Sequence, residues 1–157
     1  MKLYLVQHGE ATTEEINKEK PLTKKGISDV NKIATFLRDA GISVNSIFHS
    51  TKLRAKESAK ILADILNPEC QVIEKNSLSP NDSVENIYAE ILERADDLMI
   101  VGHLPFLSKL ASKLILDSED KSIIRFRQGG IARLERNDTG SWEIDWFITP
   151  DLLREES

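Results

Sequence analysis

Apolar residues along this chain recur at two different spacings, and the switch between them predicts most of the secondary structure. Leu3 to Val6 is a continuous apolar run without helical length, which predicts a buried strand. The polar stretch from Glu10 to Lys20 predicts a loop. Thr23 then stands where an N-cap belongs, and Ile27, Val30, Ile33, Ala34 and Leu37 repeat at helical spacing up to Gly41, a C-terminal stop. Val44 to Phe48 predicts a second strand. Residues 51–66 predict a second helix, burying Ala55, Ala59, Leu62 and Leu66, and Pro68 ends it. Cys70 to Ile73 predicts a third strand, and Val84, Ile87, Tyr88, Ile91 and Leu92 mark another amphipathic helix. Leu98 to Val101 is a wholly apolar strand, and Leu107, Leu110, Ala111, Leu114 and Ile115 predict the helix after it.

The last third changes character. Ile123 to Phe126, Ile131 to Leu134 and Trp142 to Ile148 predict strands, the final one with Trp142, Ile144, Trp146 and Ile148 all on one face. Asn137-Asp138-Thr139-Gly140 is a hairpin turn between the last two. Strands alternating with helices, followed by a meander, predict a three-layer α/β/α sandwich whose mostly parallel central sheet has antiparallel edge strands. Residues 1–157 are expected to form a single domain. In such sheets ligands sit beyond the carboxyl ends of the strands.

Composition narrows the choice of partner. The net charge is -5, with 26 acidic against 21 basic side chains and no basic block, so no nucleic-acid partner is expected. Any anion must therefore be attracted locally. Cys70 is the only cysteine, which excludes an intramolecular disulfide and reads as a small half-buried residue. No apolar stretch reaches the length of a membrane span, and the short run after Met1 is no signal peptide, so a cytoplasmic protein with no membrane partner is expected. No histidine pair falls at i, i+4 and no cysteine–histidine cluster exists, so neither a metal nor another cofactor is expected.

The three histidines have one placement in common: each falls at the carboxyl end of a predicted strand. The first strand ends at Gln7-His8-Gly9-Glu10, the second at His49-Ser50 with Arg54 one turn into the next helix, and the apolar fourth at Gly102-His103 before Leu104-Pro105. Two of the three adjoin glycine, and a helix N-terminus is at hand to bind an anion.

These residues resemble the histidine phosphatase superfamily, the group that includes the cofactor-dependent phosphoglycerate mutases. Within it the chain is most similar to the short bacterial phosphohistidine phosphatases of the SixA type. Leu5-Val6-Gln7-His8-Gly9-Glu10-Ala11 corresponds to the Arg-His-Gly signature, and Lys20-Pro21-Leu22-Thr23 with Gly26 to the segment that follows. Ser50 through Arg54-Ala55 corresponds to the serine-to-arginine segment, and Val101-Gly102-His103 to the second-histidine segment. The resemblance implies a nucleophilic His8, with Gly9 leaving room for the phosphoryl group, and Arg54 and His103 on its nonbridging oxygens. It adds the backbone N–H of Leu104 as a donor, with Pro105 as first helical residue. Lys20 is either a flanking cation or a solvated loop lysine, and His49 is expected on the rim as a bystander.

Two departures from the pattern stand out. The arginine before the nucleophile is Gln7 here, which replaces a charge-assisted contact by a neutral one. The insertion that carries the general acid in larger members is missing, leaving Glu10 and Asp82 as the nearest candidates. The implied activity is removal of a phosphoryl group, from phosphohistidine on a partner protein. The alternatives are a phosphatase for a small phosphorylated substrate, or a weakly active phosphate- or phosphohistidine-binding module.

Overall fold

The computed structural model describes residues 1–154. Its elements run β1 (Lys2–Gln7), α1 (Lys24–Asp39), β2 (Ser46–His49), α2 (Leu53–Leu66), β3 (Gln71–Glu74), α3 (Glu85–Glu93), β4 (Leu98–Gly102), α4 (Phe106–Leu116), β5 (Ile131–Arg136) and β6 (Trp142–Ile148), before a short 3-10 turn at Pro150–Leu152. One six-stranded sheet has the order β3-β2-β4-β1-β5-β6. The first four of these strands are mutually parallel, while β5 and β6 run antiparallel at one edge.

Alternation along the central strands divides the core into two faces. Leu3 and Leu5 of β1, with Leu98 and Ile100 of β4, pack toward α3 and α4, where Phe106, Leu107 and Ile87 are buried. Tyr4 and Val6, with Met99 and Val101, pack toward α1 and α2, against Val30, Ile33, Ala59 and Leu62. Side chains that leave water completely, such as Phe106 and Ile33, contribute about 1.5–3 kcal/mol each. The result is the three-layer sandwich that the strand–helix alternation predicts. No helix among the described residues is long and apolar enough to cross a membrane.

Helix α1 begins as its sequence predicts: the Thr23 side chain accepts from the Gly26 N–H at 2.9 Å. Two expectations fail in the last third. Ile123 to Phe126 is not a strand; Ile124 and Phe126 are buried against the α3/α4 face, but the segment pairs with no neighbour because β6 already occupies the sheet edge. The single apolar face of β6 is broken as well. The β5–β6 register slips at Arg133/Leu134, where Leu134 lies opposite Ile144 and Arg133 opposite Trp146. This bulge reverses the alternation, so Trp142 and Phe147 pack with the α3/α4 side, Trp146 and Ile148 with the α1/α2 side, and Ile144 is left exposed.

Candidate active site

Three adjacent strands deliver the polar residues to one end of the sheet. Strand order places β4 between β2 and β1, with Gln7 opposite Gly102 and His49 opposite Val101. His8 and His103, each one residue beyond its strand, therefore come together, their ring centroids 4.9 Å apart and the rings tilted by 53°. Arg54 arrives from the first turn of α2. The end of β1 is held on both sides, as the His8 N–H donates to the Gly102 carbonyl and the Gly129 N–H donates to the carbonyls of Gln7 and His8.

Hydrogen bonding fixes the state of His8. Its Nδ1 lies 2.7 Å from the Gly9 carbonyl. A carbonyl only accepts, so Nδ1 carries the proton and Nε2 keeps its lone pair. Burial, together with the charges of Arg54 and Lys20, brings its pKa down to about 4, although the Gly9 hydrogen bond works the other way. His103 is lowered to about 3, by burial first and then by His8, Arg54, Lys52 and Lys20. At neutral pH both imidazoles are uncharged, and the positive charge of the site rests on Arg54 and the lysines.

The neighbours of these groups include serines that no charge or periodicity marks. Ser50 Oγ lies 2.6 Å from His103 Nε2 and accepts from the Lys52 N–H at 3.2 Å. The Lys52 contact uses one of the two acceptor positions of the hydroxyl, so Ser50 pairs with His103 either by donating to the Nε2 lone pair or by accepting from Nε2–H. The His103 Nδ1 is buried and has no partner among the described residues. Ser58 Oγ accepts from the Gly9 N–H at 3.0 Å and donates to the Arg54 carbonyl at 2.8 Å, which ties the first turn of α2 to the residue after His8.

Several sequence readings change when placed in space. A Cβ on Gly9 would lie 2.9 Å from both the Gly26 carbonyl and Val30 Cγ2, so the close approach that demands glycine is that of α1. Pro105 precedes α4 instead of opening it, and Leu104 stands one residue further out, joined to Pro105 by a cis peptide bond and 40% exposed. His49 is buried rather than on the rim, with Nδ1 donating to the Ser50 carbonyl at 2.7 Å. The Gln7 Oε1 atom is buried without a partner among the described residues. Both candidate acids are engaged: Glu10 Oε2 accepts from the Thr23 hydroxyl at 2.7 Å, and Asp82 Oδ2 accepts from the Ser79 N–H at 2.8 Å. Lys20 sits in the left-handed region, φ 51°, on the loop that the Ala11–Leu22 bridge closes.

Comparison with known proteins bears on the family and the fold. Residues 3–80 match the model of the histidine phosphatase superfamily, branch 1. The phosphohistidine phosphatase SixA of Escherichia coli is 22% identical over 159 residues, covering 98% of this chain and 97% of its own. The chain belongs to the histidine phosphatase superfamily. Another relative, an uncharacterized protein of a Picosynechococcus species, is 33% identical over 150 residues, 86% of this chain and 89% of its own. Among solved structures, the protein histidine phosphatase SixA complexed with tungstate superposes with a TM-score of 0.86 at 21% identity, over 98% of this chain and all of that one. The alpha-ribazole phosphatase of Shigella flexneri gives 0.73 at 17% identity, over 96% and 97%. The fold shared with these structures thus extends past the matched segment 3–80 to β4, the strand that leads to His103.

Proposed function

We propose that this protein is a phosphohydrolase that removes the phosphoryl group from phosphohistidine on a partner protein, through a phosphohistidine intermediate on His8. The observation that carries the reading is the state of His8: Nδ1 is committed to the Gly9 carbonyl, and a pKa near 4 keeps the ring neutral, so Nε2 is an available nucleophile at physiological pH. In the first step the Nε2 lone pair attacks phosphorus and the P–N bond of the substrate breaks. Its electron pair stays on the departing ring, which leaves as neutral imidazole when its other nitrogen carries a proton. Water then attacks the His8 phosphoramidate, releasing phosphate and returning Nε2 to its unprotonated state.

Arg54 and His103 are assigned to the nonbridging oxygens, where negative charge spreads in the transition state, with Lys20 as a flanking cation. The Gln7 amide and the Leu104 N–H are assigned neutral contacts to the same group. The engagement of Glu10 and Asp82 elsewhere favours a substrate whose leaving group needs no protein acid, which supports phosphohistidine over a phosphomonoester.

Rapid quenching with labelled phosphohistidine substrate tests the reading. An acid-labile, base-stable phosphoenzyme should form in the parent and vanish in a folded His8→Ala variant. Label on His103 or His49 would overturn the assignment of the nucleophile, and phosphate bound without release would mark a binding module instead.

A further inference from the structure

A cleft of about 530 Å³ opens beside Arg54, between the loop that carries Lys20 and the start of α2. Lys18, Lys20, Lys52, Arg54 and Lys56 line it, against the carboxylates Glu14, Glu19 and Glu74. Cations are thus in excess here although the chain as a whole carries a net charge of -5. None of the five forms an ion pair among the described residues, whereas Lys25, Lys60, Lys75, Lys113, Arg94 and Arg133 all do elsewhere. Five cations against three carboxylates leave the cleft with unbalanced positive charge, and an anionic partner relieves the repulsion among the cations.

The same cluster reaches the reactive end of the sheet, because Arg54 and Lys20 act electrostatically on both His8 and His103, and Lys52 on His103. Leu53 is the only apolar residue in the lining, so the cleft offers little to an apolar ligand. Lys18, Lys52 and Lys56 are exposed and distributed over two chain segments. Such a spread suits several separate carboxylates better than one small anion, which needs donors converging on a point.

We propose that the cleft docks acidic side chains flanking the phosphohistidine of the partner protein, so that phosphohistidines in acidic surroundings are selected. This selectivity rests on the phosphohistidine reading above and adds a recognition element beyond the phosphoryl group. Rim charges of this kind act on encounter and on choice of partner, and their effect is removed by salt.

The test uses two labelled peptides of equal length carrying a non-hydrolysable phosphohistidine mimic, one flanked by glutamates and the other by glutamines. Binding is followed by fluorescence anisotropy with the full chain, which does not require turnover. At low salt the acidic peptide should bind about tenfold more tightly, and about 0.5 M salt should abolish the difference. Lys18→Gln combined with Lys56→Gln should reduce the preference severalfold while leaving the neutral peptide's affinity within about twofold. Equal affinities for the two peptides, or a preference untouched by both the salt and the double substitution, would overturn the docking proposal. Phosphoenzyme formation on His8, measured separately, tells that failure apart from failure of the phosphohistidine reading.

Discussion

At the scale of single residues, what decides the chemistry is how each imidazole is anchored. His8 is set by a backbone carbonyl that any sequence would supply, whereas His103 depends on one hydroxyl, that of Ser50 at 2.6 Å. Ser50→Ala removes the group that orients Nε2, and the ring is then free to exchange tautomers. Nitrogen-15 spectra should show His103 moving from a single tautomer to a mixture, and kcat/KM should fall about tenfold, mostly through kcat. Ser50→Thr should restore both. An unchanged ring spectrum in the alanine variant would show that Ser50 does not set the tautomer. His8, His103 and Arg54 stood out in the sequence because predicted strand ends and the family's motifs mark them. Ser58 did not, and Ser50 was marked only as the start of a matched segment with no role of its own, because a buried serine looks like any other until its partner, some fifty residues away, is brought to it.

At the scale of elements, the helices were readable from periodicity, and the start of α1 from its cap. What periodicity could not reveal was a change of phase within β6, since one extra residue at a bulge reverses every later side chain. Nor could it separate the merely extended Ile123–Phe126 segment from a paired strand, because both bury alternate residues. The joint between β1 and α1 is the most constrained contact near the site. A Cβ on Gly26 would lie 2.1 Å from the Glu10 carbonyl oxygen, a backbone atom with no freedom to turn away. Gly26→Ala should therefore cost about 3 kcal/mol or more in urea unfolding. Gly41→Ala, where φ is +79° but nothing lies within 4 Å, should cost only about 1–2 kcal/mol. Equal losses at the two positions would mean that the Glu10 loop yields to the added methyl.

At the scale of the whole molecule, the two neutral histidines link the site to acid stability. Their folded pKa values, about 4 and about 3, lie below the ordinary value of 6.5. Between those limits the unfolded chain binds protons that the folded chain refuses, so unfolding becomes easier as pH falls from about 6.5. Above that range the pair contributes no pH dependence. The loss has an upper limit of roughly 3–5 kcal/mol for each histidine, less where the two are coupled. Urea midpoints between pH 7 and 4 should fall accordingly, and His103→Gln should flatten the slope; a flat parent profile would contradict neutral, buried rings. The strand order bears on how the molecule comes into being. β4 separates β1 from β2, yet it is made after both, with α2, β3 and α3 in between. A chain emerging from the ribosome therefore holds two apolar strands with open edges until the later one arrives to wedge between them. The reactive end of the sheet cannot exist in any N-terminal intermediate, and the delay leaves a period in which those edges are exposed to mispairing with other chains.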